Sequence, residues 1–246
     1  MFNYKITDDS DYQNFILFLK SVSKNETIEN HKRHIAILNT KQEVIAIAMS
    51  KIRDTAKKIF KNGYQKFLEI GLAKSYKDEF YEETLIQGLV IASLKDLNEQ
   101  KTYFEKWVTK IDNWSTCDST VSTMKTLKNS ENKEDYFDYY LSLCYSDKEF
   151  VSRFGIIVLM TCFLEEKYID KILLMCEQVK NSAYYVQMAI AWLLSFAFMK
   201  FKEKTYNLFQ KKTLAKFVQN KAICKCRDSF QVEKQDKENL INFRIK

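Results

Sequence analysis

An all-α fold is what this sequence predicts, and three observations predict it. The 246 residues contain four glycines and no proline, so β-turns that need a positive or preset φ have few places to form. Alternating β-branched runs bracketed by Asn-Gly or Asp-Gly, the mark of hairpins, are missing. Apolar residues recur instead at helical spacing along almost the whole chain. Hydrophobic residues at 46% and aromatics at 14% can fill a sizeable core, and no Gly/Ser-rich linker interrupts the pattern. A single domain over residues 1–246 is therefore expected.

Taken in order, the first helix is expected over 9–22. In "EVIAIAMSKIRDTAKKIF" the stripe Ile45, Ala48, Met49, Ile52, Ala56, Ile59 and Phe60 falls at i, i+3, i+4 and i+7 with lysines opposite, which predicts a second. Further helices are expected over 79–96, 99–112, 115–127, 134–145, 147–164, 167–179, 182–199, 203–211, 213–229 and 233–243. The polar run "TLKNSENKED", 126–135, reads as a loop. From residue 79 on the helices pair, with pairs beginning near 79, 115, 147, 182 and 213. A period of about 31 to 36 residues belongs to stacked helix-pair repeats. An offset of about 35 lays Phe150-Val151 on Tyr185-Val186 and Leu159 on Leu194. Such a stack is an α-solenoid superhelix whose concave face is wide enough for a double helix.

Charge narrows the partner. Residues 200–246 hold 13 Lys+Arg against 5 Asp+Glu, a net +8, whereas residues 1–199 carry 26 against 27, a net −1. Excess positive charge confined to the last fifth of the chain suggests a polyanion, nucleic acid before membrane, because no segment there is a Trp/Leu-rich insertion helix. A Lys-rich solvated terminus is the alternative, with 34 lysines to five arginines. The longest apolar stretch, "MAIAWLLSFAFM" at 188–199, is far short of the ~20 residues needed to span a bilayer. "MFNYKITDDSDYQNF" has no apolar core behind a basic start, so no signal peptide is read there, and a soluble cytoplasmic protein is expected. Six scattered cysteines, four of them in apolar helical patterns, look like small buried hydrophobes in a reducing compartment.

Several kinds of chemistry are excluded by what the chain lacks. There is no G-x-x-x-x-G-K-[ST] or G-x-G-x-x-G loop and no H-E-x-x-H. His31 and His34 read as surface histidines, and Cys224 and Cys226 stand without a second pair, so neither a metal nor a cofactor is expected. Glu82 and Glu83 in "YEET" are adjacent, do not face each other on a helix, and read as a solvated face. Aromatics and one aspartate remain. In "KIDNWSTCDS" Trp114 precedes Asp118 by four residues, which on a helix sets both on one face a turn apart. Trp192 sits inside "AIAWLLS". Arg153 is embedded in the apolar "EFVSRFGIIVLM", where it needs either a buried carboxylate or a phosphate. If the first helices of successive pairs line the concave face, Trp114, Asp118, Arg153 and Trp192 converge there.

Four blocks in order resemble the HEAT-like repeat DNA glycosylases, the DNA alkylation repair enzymes that excise alkylpurines. They are "IDNWSTCD" (111–118), "EFVSRFGIIVLM" (149–160), "YYVQMAIAWLLSFAFMKF" (184–201) and "NKAICKCRDSF" (220–230), and the resemblance covers roughly residues 40–246. It implies a horseshoe of helical pairs cradling duplex DNA with alkylated bases, in a monomer that associates with the nucleoid. It implies that Trp114 and Trp192 flank the sugar of the lesion, that Asp118 is the catalytic carboxylate, and that Arg153, with Lys200, Arg227 and other C-terminal basic residues, holds the DNA backbone. Three departures stand out. Ser50-Lys51 replaces the Ser/Thr-Pro that usually opens the helix before Arg53, Gln231 stands where an arginine commonly follows the Ser-Phe pair, and residues 1–40 match poorly. Some branches of the superfamily bind damaged or branched DNA without excising a base. A binder of that kind is the rival expectation, and a helical-repeat protein scaffold is the third.

Overall fold

The computed structural model describes residues 2–23 and 28–246. Apart from one parallel bridge between Glu43 and Phe80, regular structure among the described residues is helical throughout. The chain divides into two compact units, residues 1–127 and 128–246, with the division inside the short helix α8, Lys125–Asn129.

The first unit holds α1 (Asp9–Val22), α2 (Ile28–Leu38), α3 (Met49–Asn62), α4 (Gln65–Ala73), α5 (Tyr81–Ala92), α6 (Leu97–Trp107) and α7 (Trp114–Val121). All twelve residues of α5 are buried, as befits a helix enclosed by α3, α4, α6 and α7. Gly88 lets α6 come that close: a Cβ there would meet Trp107 Cζ2 at 2.2 Å and Thr120 Oγ1 at 2.4 Å. Trp107 in turn donates its indole N–H to the Thr84 carbonyl at 2.8 Å.

Here the structure corrects two expectations. Glu82 and Glu83 are not solvated; both are fully buried. Adjacent helix positions point in different directions, but α5 is covered on every side, so each carboxylate meets protein. Glu83 takes the Lys74 ammonium at 2.8 Å, the Phe80 N–H at 3.0 Å and the Tyr12 hydroxyl at 3.2 Å. Glu82 accepts from three successive backbone N–H groups, Ile45 at 3.0 Å, Ala46 at 2.8 Å and Ile47 at 3.3 Å. That explains the second correction. The helix anticipated from residue 45 begins only at Met49, because a carboxylate engages the donors of 45–47 and bends the segment through a left-handed Ala46, φ 68°. The helices α2 and α4 were not anticipated. The stretch expected as a loop over 126–135 is partly helical, covered by α8 at one end and by α9 from Glu134 at the other. The side chains of His31 and His34 lie outside the described residues.

The second unit holds α9 (Glu134–Cys144), α10 (Glu149–Cys162), α11 (Ile169–Gln178), α12 (Tyr184–Lys200), α13 (Lys202–Lys211), α14 (Lys216–Asp228) and α15 (Lys234–Leu240). Here α10 packs on α9 and α12, and α12 packs on α14. Phe150 and Tyr185, laid on one another at the offset of about 35, are each the second residue of their helices, α10 and α12. The Phe150 and Tyr185 rings meet at 5.3 Å, while Val151 and Val186, and Leu159 and Leu194, are all buried. Hydrogen bonds link neighbouring pairs at the same offset: Tyr185 N–H to Glu149 Oε1 at 2.8 Å, Lys200 Nζ to the Leu164 carbonyl at 2.7 Å, and Asn181 Nδ2 to the Ser146 carbonyl at 3.0 Å. No helix among the described residues is long and apolar enough to cross a membrane.

Candidate nucleic-acid interface

The start of α7 is fixed before its functional candidates begin. Asn113 sits in extended backbone, and its Oδ1 accepts the Thr116 N–H at 2.9 Å, satisfying one of the donors a helix start leaves unpaired. Its Nδ2 donates to Asp112 Oδ1 at 3.0 Å. Asp112 in turn accepts from the Thr40 hydroxyl at 2.7 Å and the Lys41 N–H at 2.7 Å. Ser115 shares a 2.9 Å hydrogen bond with the Tyr81 hydroxyl, tying the buried side of α7 to α5. Trp114 is therefore the first residue of a rigidly seated helix, and Asp118 follows one turn later on the same face. Both are half-buried, and both are engaged with neighbouring groups.

In the second unit Arg153 lies within α10 and is only 5% exposed. Its Nη1 donates to the Tyr185 carbonyl at 2.8 Å, and its guanidinium lies 5.8 Å from the centre of the Tyr185 ring. With Glu149 accepting the Tyr185 N–H, α10 grips the first turn of α12 at two points. Trp192, half-buried in α12, meets Phe196 edge-on at 6.1 Å. Lys225 of α14 brings its ammonium to 6.0 Å from the Trp192 ring centre. Burial and the neighbouring Lys221 hold that ammonium below its ordinary range, with Arg153 acting in the same direction and Asp228 against it. Lys200 and Arg227 are exposed at the ends of α12 and α14.

The first unit thus brings Trp114 and Asp118 together, while Arg153, Trp192, Lys200 and Arg227 all belong to the second. Lys225 and Phe230 beside Trp192, and Asp112 and Asn113 ahead of Trp114, were not singled out from the sequence. The signals were present: "DN" just before an amphipathic run is a helix-start pattern, and Lys221 and Lys225 are spaced to share a helix face. No group of three His, Cys, Asp or Glu among the described residues is arranged to hold a metal ion. A carboxylate and an indole a turn apart can stabilise positive charge that develops on a bound substrate, the one by its charge and the other by its ring quadrupole.

A family model for DNA alkylation repair enzymes matches residues 16–220. The chain belongs to that family. The match begins inside α1, so it reaches further toward the N-terminus than the four sequence blocks do, and it ends inside α14. Trp114, Asp118, Arg153, Trp192 and Lys200 fall within it, whereas Lys225, Arg227 and Phe230 lie beyond. No curated protein and no solved structure matches the chain. Membership of the DNA alkylation repair family places the protein's work in DNA repair, with DNA as its substrate.

Proposed function

We propose that this protein is a monofunctional DNA glycosylase that hydrolyses the N-glycosidic bond of purines alkylated at N3 or N7 in duplex DNA. The observation that carries the reading is the Trp114–Asp118 pair on the capped helix α7, inside the span matched by the family model. A purine alkylated at N3 or N7 is cationic and already a good leaving group, so the chemistry asks for no general acid. Breaking its bond to the sugar builds positive charge at C1′. Asp118 stabilises that charge and orients the attacking water, and the indole of Trp114 faces the sugar. Trp192 takes the same part toward the sugar from α12. The stacked pairs of the second unit are repeats of an α-solenoid whose first helices, α10, α12 and α14, face the duplex. Lys200 and Arg227 hold phosphates, and Arg153, which fixes the start of α12, serves the DNA backbone.

Single-turnover release of 7-methylguanine from a labelled duplex tests this, with wild type beside Asp118→Asn. Release by wild type alone, with DNA affinity kept in the variant, supports the glycosylase and its carboxylate. Equal loss of binding and excision in the variant marks Asp118 as structural. No release from either, with salt-sensitive binding still present, replaces the enzyme by a binder of damaged or branched DNA. Binding that is absent or indifferent to salt points to a protein scaffold.

A further inference from the structure

Beside Trp192, α12 and the end of α14 enclose an open cleft of about 480 Å³, one wall of which, from Lys225 to Gln231, lies beyond the span of the family match. Its walls are aromatic: Trp192 and Phe196 meet edge-on, and Phe230 also lines it. Phe230 is fully exposed and Phe196 is 42% exposed. Phe230 sits at the apex of a turn that the Ser229 hydroxyl pins by accepting the Gln231 N–H at 3.2 Å. A lone surface phenylalanine means nothing. Three aromatics gathered at one cleft, each showing part of its surface to water, form a platform that has no occupant from the described protein.

The charge around the cleft says what kind of occupant fits. Lys225 lines it, with Lys221 one turn back and Arg227 two residues on, and none of the three forms an ion pair among the described residues. Asp228 is the only carboxylate in the lining. Cations interleaved with exposed rings are the chemistry of single-stranded nucleic acid, where bases stack on aromatic faces and the phosphates follow the charge. Ring faces have nothing to gain from an intact duplex, because its bases already stack on each other. They gain from a base that has left the stack. Gln231, also in the lining, carries an amide that can both donate to and accept from a base edge.

We infer that this cleft receives an unpaired nucleobase of the bound DNA, with Phe230 stacking on it and Lys225 meeting its phosphate. The inference rests on DNA being the substrate, as proposed above, and deepens that reading by assigning a second contact that favours locally unpaired DNA. A damaged or distorted position supplies such a base more readily than regular duplex does.

The test measures, with the full chain, the ratio of affinities for a duplex carrying a one-base bulge and for a fully paired duplex of equal length. Wild type is expected to favour the bulge by about tenfold or more, and Phe230→Ala to bring the ratio close to one, since stacking on one aromatic is worth roughly five- to hundredfold. Phe230→Trp restores the preference. Leu174→Ala, an exposed apolar side chain on α11 outside the cleft, keeps it. Phe230 is fully exposed, so its loss leaves the fold intact. A bulge preference unchanged in Phe230→Ala overturns the inference while leaving the glycosylase reading standing. So does a wild type that binds both duplexes alike. Failure of wild type to bind either duplex overturns the reading itself. A Phe230→Ala variant that loses self-association in sedimentation, with its bulge preference intact, reassigns the cleft to contact between copies of the chain.

Discussion

Replacing Glu82 removes the acceptor of three backbone donors at once. The carboxylate is fully buried and holds the N–H groups of Ile45, Ala46 and Ile47 at 2.8–3.3 Å, and those three residues are themselves buried. A buried donor left without its acceptor costs about 1–3 kcal/mol. Three such donors would sum to more than the whole change, because removing the carboxylate also removes the cost of burying it and because the segment relaxes. The expected loss for Glu82→Ala is about 3–5 kcal/mol, a large part of the stability of a domain. Glu82→Gln retains one oxygen for Ala46 and Ile47 but turns an NH₂ toward the Ile45 donor, so about 2 kcal/mol is expected. Urea unfolding followed by far-UV circular dichroism reads both. A pH series adds a second readout. Burial raises the Glu82 carboxyl above its ordinary 4.5, against the pull of the backbone donors, so the folded protein holds this proton more tightly than the unfolded chain. The resulting contribution is fully present below the unfolded value and is lost as pH rises through the raised folded value. The stability gap between wild type and Glu82→Gln should therefore be wider at pH 4 than at pH 8. An Ala variant that unfolds at the wild-type urea concentration would refute the claim that this carboxylate holds the 45–47 segment.

Three further outcomes follow from the same structure. Glu79 and Lys110 form a buried pair at 2.7 Å, and burial pushes the Glu79 carboxyl up and the Lys110 ammonium down. Lys110→Met should cost about 3–5 kcal/mol by stranding the carboxylate, and adding Glu79→Gln should recover much of it in the same urea assay. Gly155→Ala should destabilise the second unit by about 1–3 kcal/mol. Its Cβ would lie 2.8 Å from the Tyr140 carbonyl oxygen and 2.9 Å from the Cys144 nitrogen, and backbone atoms yield only if α9 moves away from α10. Arg227→Gln should weaken binding to any duplex and lower the slope of log affinity against log salt by about one, as anisotropy titrations over a range of salt would show.

How much of this was legible in the sequence depended on how far apart the cooperating residues lie. The facing of Trp114 and Asp118 needs only helical spacing, and the alignment of Phe150 with Tyr185 needs only a period, and both appear as stated. The fate of Glu82 needed knowledge of a segment 37 residues upstream, which no local pattern holds. The absence of a polar face on "LIQGLVIA" was nevertheless a sign that α5 is enclosed and that any carboxylate on it would need partners. Arg153 has an acceptor of a kind that residue type does not name. An arginine in an apolar helix demands an acceptor, and the sequence offered a carboxylate or a phosphate; the structure shows the Tyr185 carbonyl as one acceptor, a backbone group that no reading by residue type would single out. The helices α2 and α4 escaped because "IENHKRHIAIL" opens on a run of six polar residues after its first isoleucine and "QKFLEIGLA" is short.

The net charge of the C-terminal fifth turns out to be two populations of cations with different fates. Lysines of α13 are tied to carboxylates of neighbouring pairs: Lys204 meets Glu166 at 2.7 Å and Asp170 at 3.0 Å, and Lys202 meets Asp236 at 2.6 Å. These pairs lie at the repeat offset, so they are part of how one pair stacks on the next. Open to solvent at their lysines, they contribute little stability and chiefly cancel charge. On α14 the pattern is broken, for Lys221, Lys225 and Arg227 form no ion pair among the described residues. A cation left without a carboxylate keeps its field, and fields from side chains on one helix add over distances comparable to the Debye length, about 8–10 Å at moderate salt. The uncompensated charge therefore gathers on the helix whose end frames the aromatic cleft beside Trp192. The formal count hides this difference, for α13 carries three lysines to the four cations of α14, but Lys202 and Lys204 on α13 are paired with carboxylates.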